Sequence, residues 1–137
     1  MIVKMRLGFL EDTLDTRSSN GRDDLLLSEL RFVDSDGTLY KVPKGASTDG
    51  GSTPRLCWVI PGFEPTGKHW FDWILHDGGY RDTLQVFANE KWVSAGLSRL
   101  QCDHLLDRAL QMHGMGVIKR SIVYRVLRAE GWKFFKN

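Results

Sequence analysis

The five residues His76-Asp77-Gly78-Gly79-Tyr80 carry the strongest chemical signal in this sequence. An imidazole accepts a proton near neutral pH, and a carboxylate is a hard oxygen ligand for a metal ion. On a helix, His76 and Tyr80 lie one turn apart on one side, whereas Asp77 points about 100° away. His76 and Asp77 therefore address different atoms, which suits activation of water beside a metal ion. The alternative is a helix end with a capping imidazole and a solvated carboxylate.

A second acidic side chain, Asp103, lies at the border of the apolar face of a predicted amphipathic helix. If this helix runs antiparallel to the helix of His76, Asp103 can accept a hydrogen bond from one imidazole nitrogen. The other nitrogen then stays available as a base. This pairing predicts a hydrolytic dyad. The alternative is a surface carboxylate that pairs with Arg99, a contact worth under about 1 kcal/mol.

Helical periodicity predicts three helices in the second half of the chain. The first begins near Gly67 and ends or loosens at Gly78-Gly79, the second covers residues 94–113, and the third covers residues 117–129. The first two are expected to form the antiparallel pair that brings the dyad together.

In the first third of the chain, the sequence pattern predicts strands instead of helices. Residues 2–10 alternate loosely, residues 25–33 are rich in apolar side chains, and the turn signal at residues 34–37 precedes a strand at residues 39–42. We therefore expect a single α+β domain over residues 1–137, in which a small N-terminal antiparallel sheet is followed by three main helices. Residues 1–43 are expected to be mainly β, residues 44–66 a loop with a short helix, and residues 67–137 mainly α.

Composition fits one ordinary globular domain. The chain has 137 residues, of which 42% are hydrophobic and 26% are charged. No apolar run approaches the ~20 residues that cross a bilayer, and Lys4 and Arg6 interrupt any signal-like core at the start. Cys57 and Cys102 show no metal-site or multi-disulfide spacing. We expect a cytosolic protein with reduced thiols.

Positive charge collects at the C-terminal end, where six Lys or Arg residues follow residue 116 against the single acidic residue Glu130. Three side chains, Arg120, Tyr124 and Arg128, stack on one stripe of the third helix. Such charge favours a phosphate-bearing surface such as a phospholipid membrane. The alternative is a solvated basic helix face. No specific nucleic-acid partner is expected, and the oligomeric state stays open.

The pattern His76-Asp77-x-x-Tyr80, followed by Cys102-Asp103 on a later helix, resembles the core of the phospholipase A2 family. That family has the motif His-Asp-x-Cys-Tyr and carries Cys-Asp on its second helix. The resemblance implies that His76 is the base that activates water, oriented by Asp103 and supported by the Tyr80 hydroxyl. It also implies that Asp77 is a ligand of calcium, which polarises the ester carbonyl.

Two departures from that family concern its cysteines and its calcium loop. The family's two cysteines bridge the helices, but Gly79 stands here at the first cysteine position, which fits a reducing compartment. The family's glycine-rich calcium loop has a counterpart only in Asp49-Gly50-Gly51, at a different spacing. Asp49 is therefore the second candidate metal ligand.

A longer series of short motifs runs from about residue 31 to residue 133. It comprises Val42-Pro43-x-Gly45, Thr48-Asp49-Gly50-Gly51-Ser52-x-Pro54-Arg55, Leu75-His76-Asp77-x-x-Tyr80-Arg81, Cys102-Asp103, Gly116-Val117 and Tyr124-Arg125. The series resembles a family of small phage and prophage proteins that carry a domain of unknown function. This resemblance implies a tailed phage or integrated prophage as the source, and its polar signature residues are Asp49, His76, Asp77, Tyr80 and Asp103.

Three functions remain open at this point. The first is a calcium-dependent, phospholipase A2-like hydrolase of esters such as glycerophospholipids. The second is a non-enzymatic virion or morphogenesis component, partnered by other phage structural proteins, in which the same polar residues hold the Asp49 loop against the helix pair. The third is another metal-dependent hydrolase that acts in lysis. Whether the protein is an enzyme is left open.

Overall fold

The structure is a computed structural model that describes residues 7–14, 16–18, 24–48, 69–133 and 135. It confirms the α+β class, with antiparallel strands packed against three α-helices. Residues 49–68, which include the candidate ligand Asp49 and the expected short helix, lie outside the described residues. No helix in the described ranges combines the length and apolarity needed to cross a membrane.

Eight strands form two sheets among the described residues. The larger sheet has the order β1-β4-β5-β7-β8 and the smaller has the order β2-β3-β6, with every pair antiparallel. The strands are β1 Gly8–Phe9, β2 Thr16–Ser18, β3 Asp24–Leu26, β4 Leu30–Val33, β5 Leu39–Val42, β6 Ser47–Thr48, β7 Gln85–Ala88 and β8 Lys91–Ser94.

The predicted turn between two strands is confirmed, but the predicted strand over residues 25–33 divides into two. β4 and β5 pair across the turn, from Leu30 opposite Val42 to Val33 opposite Leu39. β3 belongs to the smaller sheet, and the chain bends between β3 and β4, where Leu27 is exposed. Two sheets share this apolar stretch, so its composition alone did not reveal the break.

Three helices follow the first six strands: α1 Trp70–Tyr80, α2 Arg99–Met112 and α3 Val117–Glu130, with a 3₁₀ turn at Gly131–Lys133. Their number agrees with the prediction, but α2 begins later than residue 94. The Ser98 side chain accepts from the Gln101 backbone while the Gln101 side chain accepts from the Ser98 backbone, a reciprocal capping box that fixes the start of α2.

The expectation that residues 67–137 are mainly helical missed the hairpin formed by β7 and β8. Asn89 and Glu90 turn it with φ values of 52° and 65°, the left-handed pair that joins two strands tightly. β7 then pairs with β5, so the hairpin extends the large sheet at one edge. The helix pair is thus joined through two strands of the sheet on which it packs.

Two apolar clusters place α1 at the centre of the fold. One lies between the large sheet and the first two helices, and includes Phe32, Val42, Ile74, Leu75, Leu105 and Ala109. The other joins all three helices and includes Trp73, Leu106, Leu110, Val123 and Leu127. Every residue of α1 from Asp72 to Tyr80 is buried, so its polar side chains need partners inside the protein.

Candidate functional site

His76 and Asp103 meet between α1 and α2 as the sequence predicts. The His76 Nε2 atom lies 2.9 Å from Asp103 Oδ1, although the residues are 27 positions apart. Tyr80, one turn after His76, donates its hydroxyl to the same Oδ1 atom at 2.5 Å. The three side chains predicted as catalytic from the sequence are therefore in direct contact.

A third donor, Arg128 of α3, was not predicted as a site residue. Its Nη1 atom donates to Asp103 Oδ2 at 2.7 Å. The stripe of Arg120, Tyr124 and Arg128 was the available signal, but only the packing of α3 against α2 shows which of its side chains reaches Asp103. We call His76, Tyr80, Asp103 and Arg128 the dyad cluster.

Asp103 is held as an ionised acceptor. Burial raises the pKa of its carboxyl group, whereas the hydrogen bonds from His76, Tyr80 and Arg128 lower it, and the result is a pKa below the ordinary value. Burial and the contact with Asp103 raise the pKa of Tyr80, which therefore stays a neutral donor. The cluster combines one anionic acceptor with a phenol, a guanidinium and an imidazole.

The second nitrogen of the His76 ring has no hydrogen-bond partner among the residues that the structure describes. Nδ1 is shielded from solvent, and no described residue bonds to it. Because ionised Asp103 can only accept, Nε2 carries the proton in their contact, and Nδ1 is left with a basic lone pair. A buried polar atom without a partner costs about 1–3 kcal/mol, so Nδ1 is a candidate acceptor for a hydrogen bond from water or a ligand.

Aromatic rings enclose the imidazole. The ring centroid of Trp73 lies 5.8 Å from that of His76 at an interplanar angle of 89°, and the Tyr80 ring lies 4.0 Å away. Phe135 in turn packs against Tyr80 with its centroid 5.3 Å away. The side chains of His76 and Asp103 are only 1% and 0% exposed. Their electrostatic contact is therefore stronger than it would be in water.

Gly79 and Cys102 face each other beside the dyad cluster. A Cβ atom at Gly79 would lie 2.7 Å from Cys102 Sγ and 3.5 Å from Cys102 Cβ. Cβ atoms joined by a disulfide are about 3.5–4.5 Å apart. The backbone positions thus have the separation of a bridged pair, and the missing side chain at Gly79 makes room for the Cys102 sulfur.

Asp77, the predicted calcium ligand, contacts the guanidinium group of Arg81. Its Oδ1 atom lies 3.3 Å from Nε of Arg81, whose Nη1 atom donates to Ser47 Oγ of β6 at 3.1 Å. This guanidinium supplies the positive charge that calcium would bring. In the described portion of the chain, no group of three or more His, Cys, Asp or Glu residues is arranged to hold a metal. Asp49 lies outside the described residues, so the calcium site stays a prediction.

A second cluster of histidines around one carboxylate lies at the other end of the helix pair. Asp72 Oδ2 contacts His69 Nδ1 at 2.9 Å, and Asp72 Oδ1 contacts His113 Nδ1 at 2.8 Å. The His113 ring also stacks on Phe9 of β1 at 5.1 Å. Sequence spacing gave no reason to group these histidines. We call His69, Asp72 and His113 the staple cluster, because it joins the start of α1 to the end of α2.

A family model described as "Protein of unknown function (DUF1353)" matches residues 25–127. The matched range contains His76, Tyr80 and Asp103 and ends one residue before Arg128. No curated protein and no solved structure matches the chain.

Proposed function

The chain belongs to the family described as "Protein of unknown function (DUF1353)", and from the geometry of the dyad cluster we propose that it hydrolyses carboxylic esters. One observation carries the proposal: His76 is held by Asp103 through Nε2, and Nδ1 has no hydrogen-bond partner among the described residues. An imidazole fixed in this tautomer by a carboxylate is suited to general-base catalysis.

The reaction uses water as the nucleophile. Because the His76 side chain is 1% exposed, the side chains that cover it must move apart before water and the ester reach Nδ1. His76 Nδ1 then takes a proton from water as the water oxygen bonds to the acyl carbon, and the imidazolium returns that proton to the alcohol oxygen as the ester C–O bond breaks. Asp103 stabilises the imidazolium, while the Tyr80 hydroxyl and Arg128 hold Asp103 in place. The products are an acid and an alcohol. No step is assigned to calcium, whose binding stays a prediction.

The substrate class comes from the resemblance to phospholipase A2, which suggests glycerophospholipids. Support for this finer assignment is the contact among His76, Tyr80 and Asp103, the residues that the resemblance names, together with the close approach of Gly79 to Cys102. Positive charge after residue 116 favours a phospholipid surface as the partner.

The test is fatty-acid release from phosphatidylglycerol and phosphatidylcholine vesicles, measured with added calcium and with chelator. We expect the wild-type protein to release fatty acid and His76→Gln to lose about 10²–10⁴-fold in rate. His104→Gln is the matched control, because His104 is exposed and contacts Tyr124 rather than Asp103. Full activity of His76→Gln, or no release by the wild-type protein, would overturn the proposal.

A second candidate is a non-enzymatic virion or morphogenesis component, in the phage setting that the longer motif series suggests. The observation in its favour is the near-complete burial of His76 and Asp103, with both Asp103 oxygens bonded. Satisfied polar networks of this kind fix helix packing. If this is the function, His76→Gln lowers the melting temperature by several degrees for each kcal/mol of unfolding free energy lost, and the wild-type protein shows no hydrolysis.

A further inference from the structure

Arg128 is the one member of the dyad cluster that reaches solvent. Its side chain is 32% exposed, against 0% for Asp103. It comes from α3, while His76 and Tyr80 come from α1 and Asp103 comes from α2. All three helices therefore meet at one carboxylate.

The two oxygens of Asp103 have different partners. Oδ1 accepts from both side chains of α1, and Oδ2 accepts from Arg128. A carboxylate turns easily about its last side-chain bond, because that torsion is broad. If only Oδ1 had donors, the carboxylate of Asp103 could still rotate about this bond. The charged donor on Oδ2 opposes that rotation, because turning the carboxylate would break its contact with Arg128.

Residues of α2 contact Arg128 through both its side chain and its backbone. Its guanidinium binds Asp103, while the Arg99 guanidinium donates to the backbone oxygen of Leu127 at 2.9 Å and to that of Arg128 at 3.4 Å. Arg99 and Asp103 lie one turn apart on α2. These reciprocal contacts fix the side chain of Arg128 relative to the dyad more firmly than one surface ion pair would.

We propose that Arg128 is a positioning residue that fixes the Asp103 carboxylate so that Oδ1 faces His76. The kinetic part of this inference rests on the proposed function; the structural part does not. Arg128 acts through Asp103 and does not touch the reacting atoms. Its guanidinium makes a charge-assisted hydrogen bond that a neutral side chain cannot replace.

The experiment follows the hydrogen-bonded Nε2 proton of His76 by proton NMR, assigned from its loss in His76→Gln. We expect Arg128→Met to shift this resonance by more than its linewidth or to broaden it, and Arg128→Lys to restore most of the wild-type signal. Arg125→Met is the matched control, because Arg125 is exposed on the same helix. An unchanged resonance in Arg128→Met would overturn the inference.

Kinetics on the same variants separate this inference from the proposed function. We expect Arg128→Met to lower kcat about tenfold while KM stays within about twofold, because orientation of the base acts on the chemical step. If the wild-type protein hydrolyses no ester but the His76 resonance still responds to Arg128→Met, the positioning role stands and the proposed function fails. If Arg128→Met does not fold, Arg128→Gln takes its place. An unchanged His76 resonance in Arg128→Gln would likewise overturn the inference.

Discussion

The dyad cluster and the staple cluster join the same two helices at opposite ends, yet they use their carboxylates differently. Asp72 lies on α1 and is shared by two imidazoles, His69 and His113, each through Nδ1. Asp103 lies on α2 and binds a single imidazole, that of His76, through Nε2. Only the second arrangement leaves a buried Nδ1 without a described partner. Similar residue types thus form a structural crosslink at one end and a candidate catalytic group at the other.

The sharpest test of this contrast exchanges each aspartate for asparagine. Asp103→Asn removes the charge that stabilises the imidazolium, so we expect ester hydrolysis to fall about 10⁴-fold. Asp72→Asn is expected to leave hydrolysis within about threefold. Both variants should lower the free energy of unfolding by about 3 kcal/mol, because each leaves buried donors without their anion. Vesicle hydrolysis and urea unfolding measure the two effects, and an equal loss of hydrolysis in both would remove the distinction.

A cysteine at position 79 tests how closely the helices approach beside the dyad cluster. The Cβ separation of 3.5 Å predicts that Gly79→Cys forms a disulfide with Cys102. Closing a loop of this length should raise the free energy of unfolding by about 3 kcal/mol under oxidising conditions. Thiol titration and melting with and without reductant measure this, in a Cys57→Ser background. Two titratable thiols after oxidation would show that the helices are further apart.

Gly131 tests the contact between Tyr80 and Asp103. A Cβ atom at Gly131 would lie 2.5 Å from the Tyr80 hydroxyl oxygen, so Gly131→Ala should push the hydroxyl away from Asp103. We expect it to cost about 1–3 kcal/mol of stability, measured by urea unfolding. In a Tyr80→Phe background the same change should cost much less, because the crowded oxygen is gone. Equal costs in both backgrounds would contradict the close contact.

The smallest expected effect concerns acid stability. The pKa of Asp103 is lowered by folding, so the unfolded chain binds more protons as the pH drops below the ordinary carboxyl value of 3.8. The stabilisation from Asp103 is therefore present above that pH and is lost as the pH falls through the folded-state pKa. Urea unfolding between about pH 5 and pH 2 should show this loss, and Asp103→Asn should flatten the curve. An equally steep curve in Asp103→Asn would assign the acid sensitivity to other groups.

Sequence periodicity was most informative where a helix has one buried face. A partner for Asp103 was predictable because an acidic residue at the edge of an apolar face needs one, and His76 was one of two candidates beside Arg99. The start of α2 was predicted at residue 94 instead of Arg99, because Leu97 fits the apolar face of the helix although it precedes the cap at Ser98. The hairpin of β7 and β8 is held by pairing with β5, a contact that local periodicity cannot show.

The surroundings of Asp77 show a second limit of prediction from sequence. The 100° offset from His76 on a helix was correctly anticipated to separate the two side chains. The contact of Asp77 with Arg81, one turn later on the chain, was not predicted. A motif names the residue types at a site, but the local counter-ions decide their chemistry.

The order of residues by itself determined the α+β class and the three helices, because side-chain periodicity and polarity act locally along each element. For Asp103 it left two partners open, His76 and Arg99, and only the packing of α1 against α2 decided for His76. Tertiary structure decided that α3 brings Arg128 to the same carboxylate and that His69 and His113 share Asp72. Those contacts depend on which helix faces meet across the core, and that is set by the packing of the whole domain.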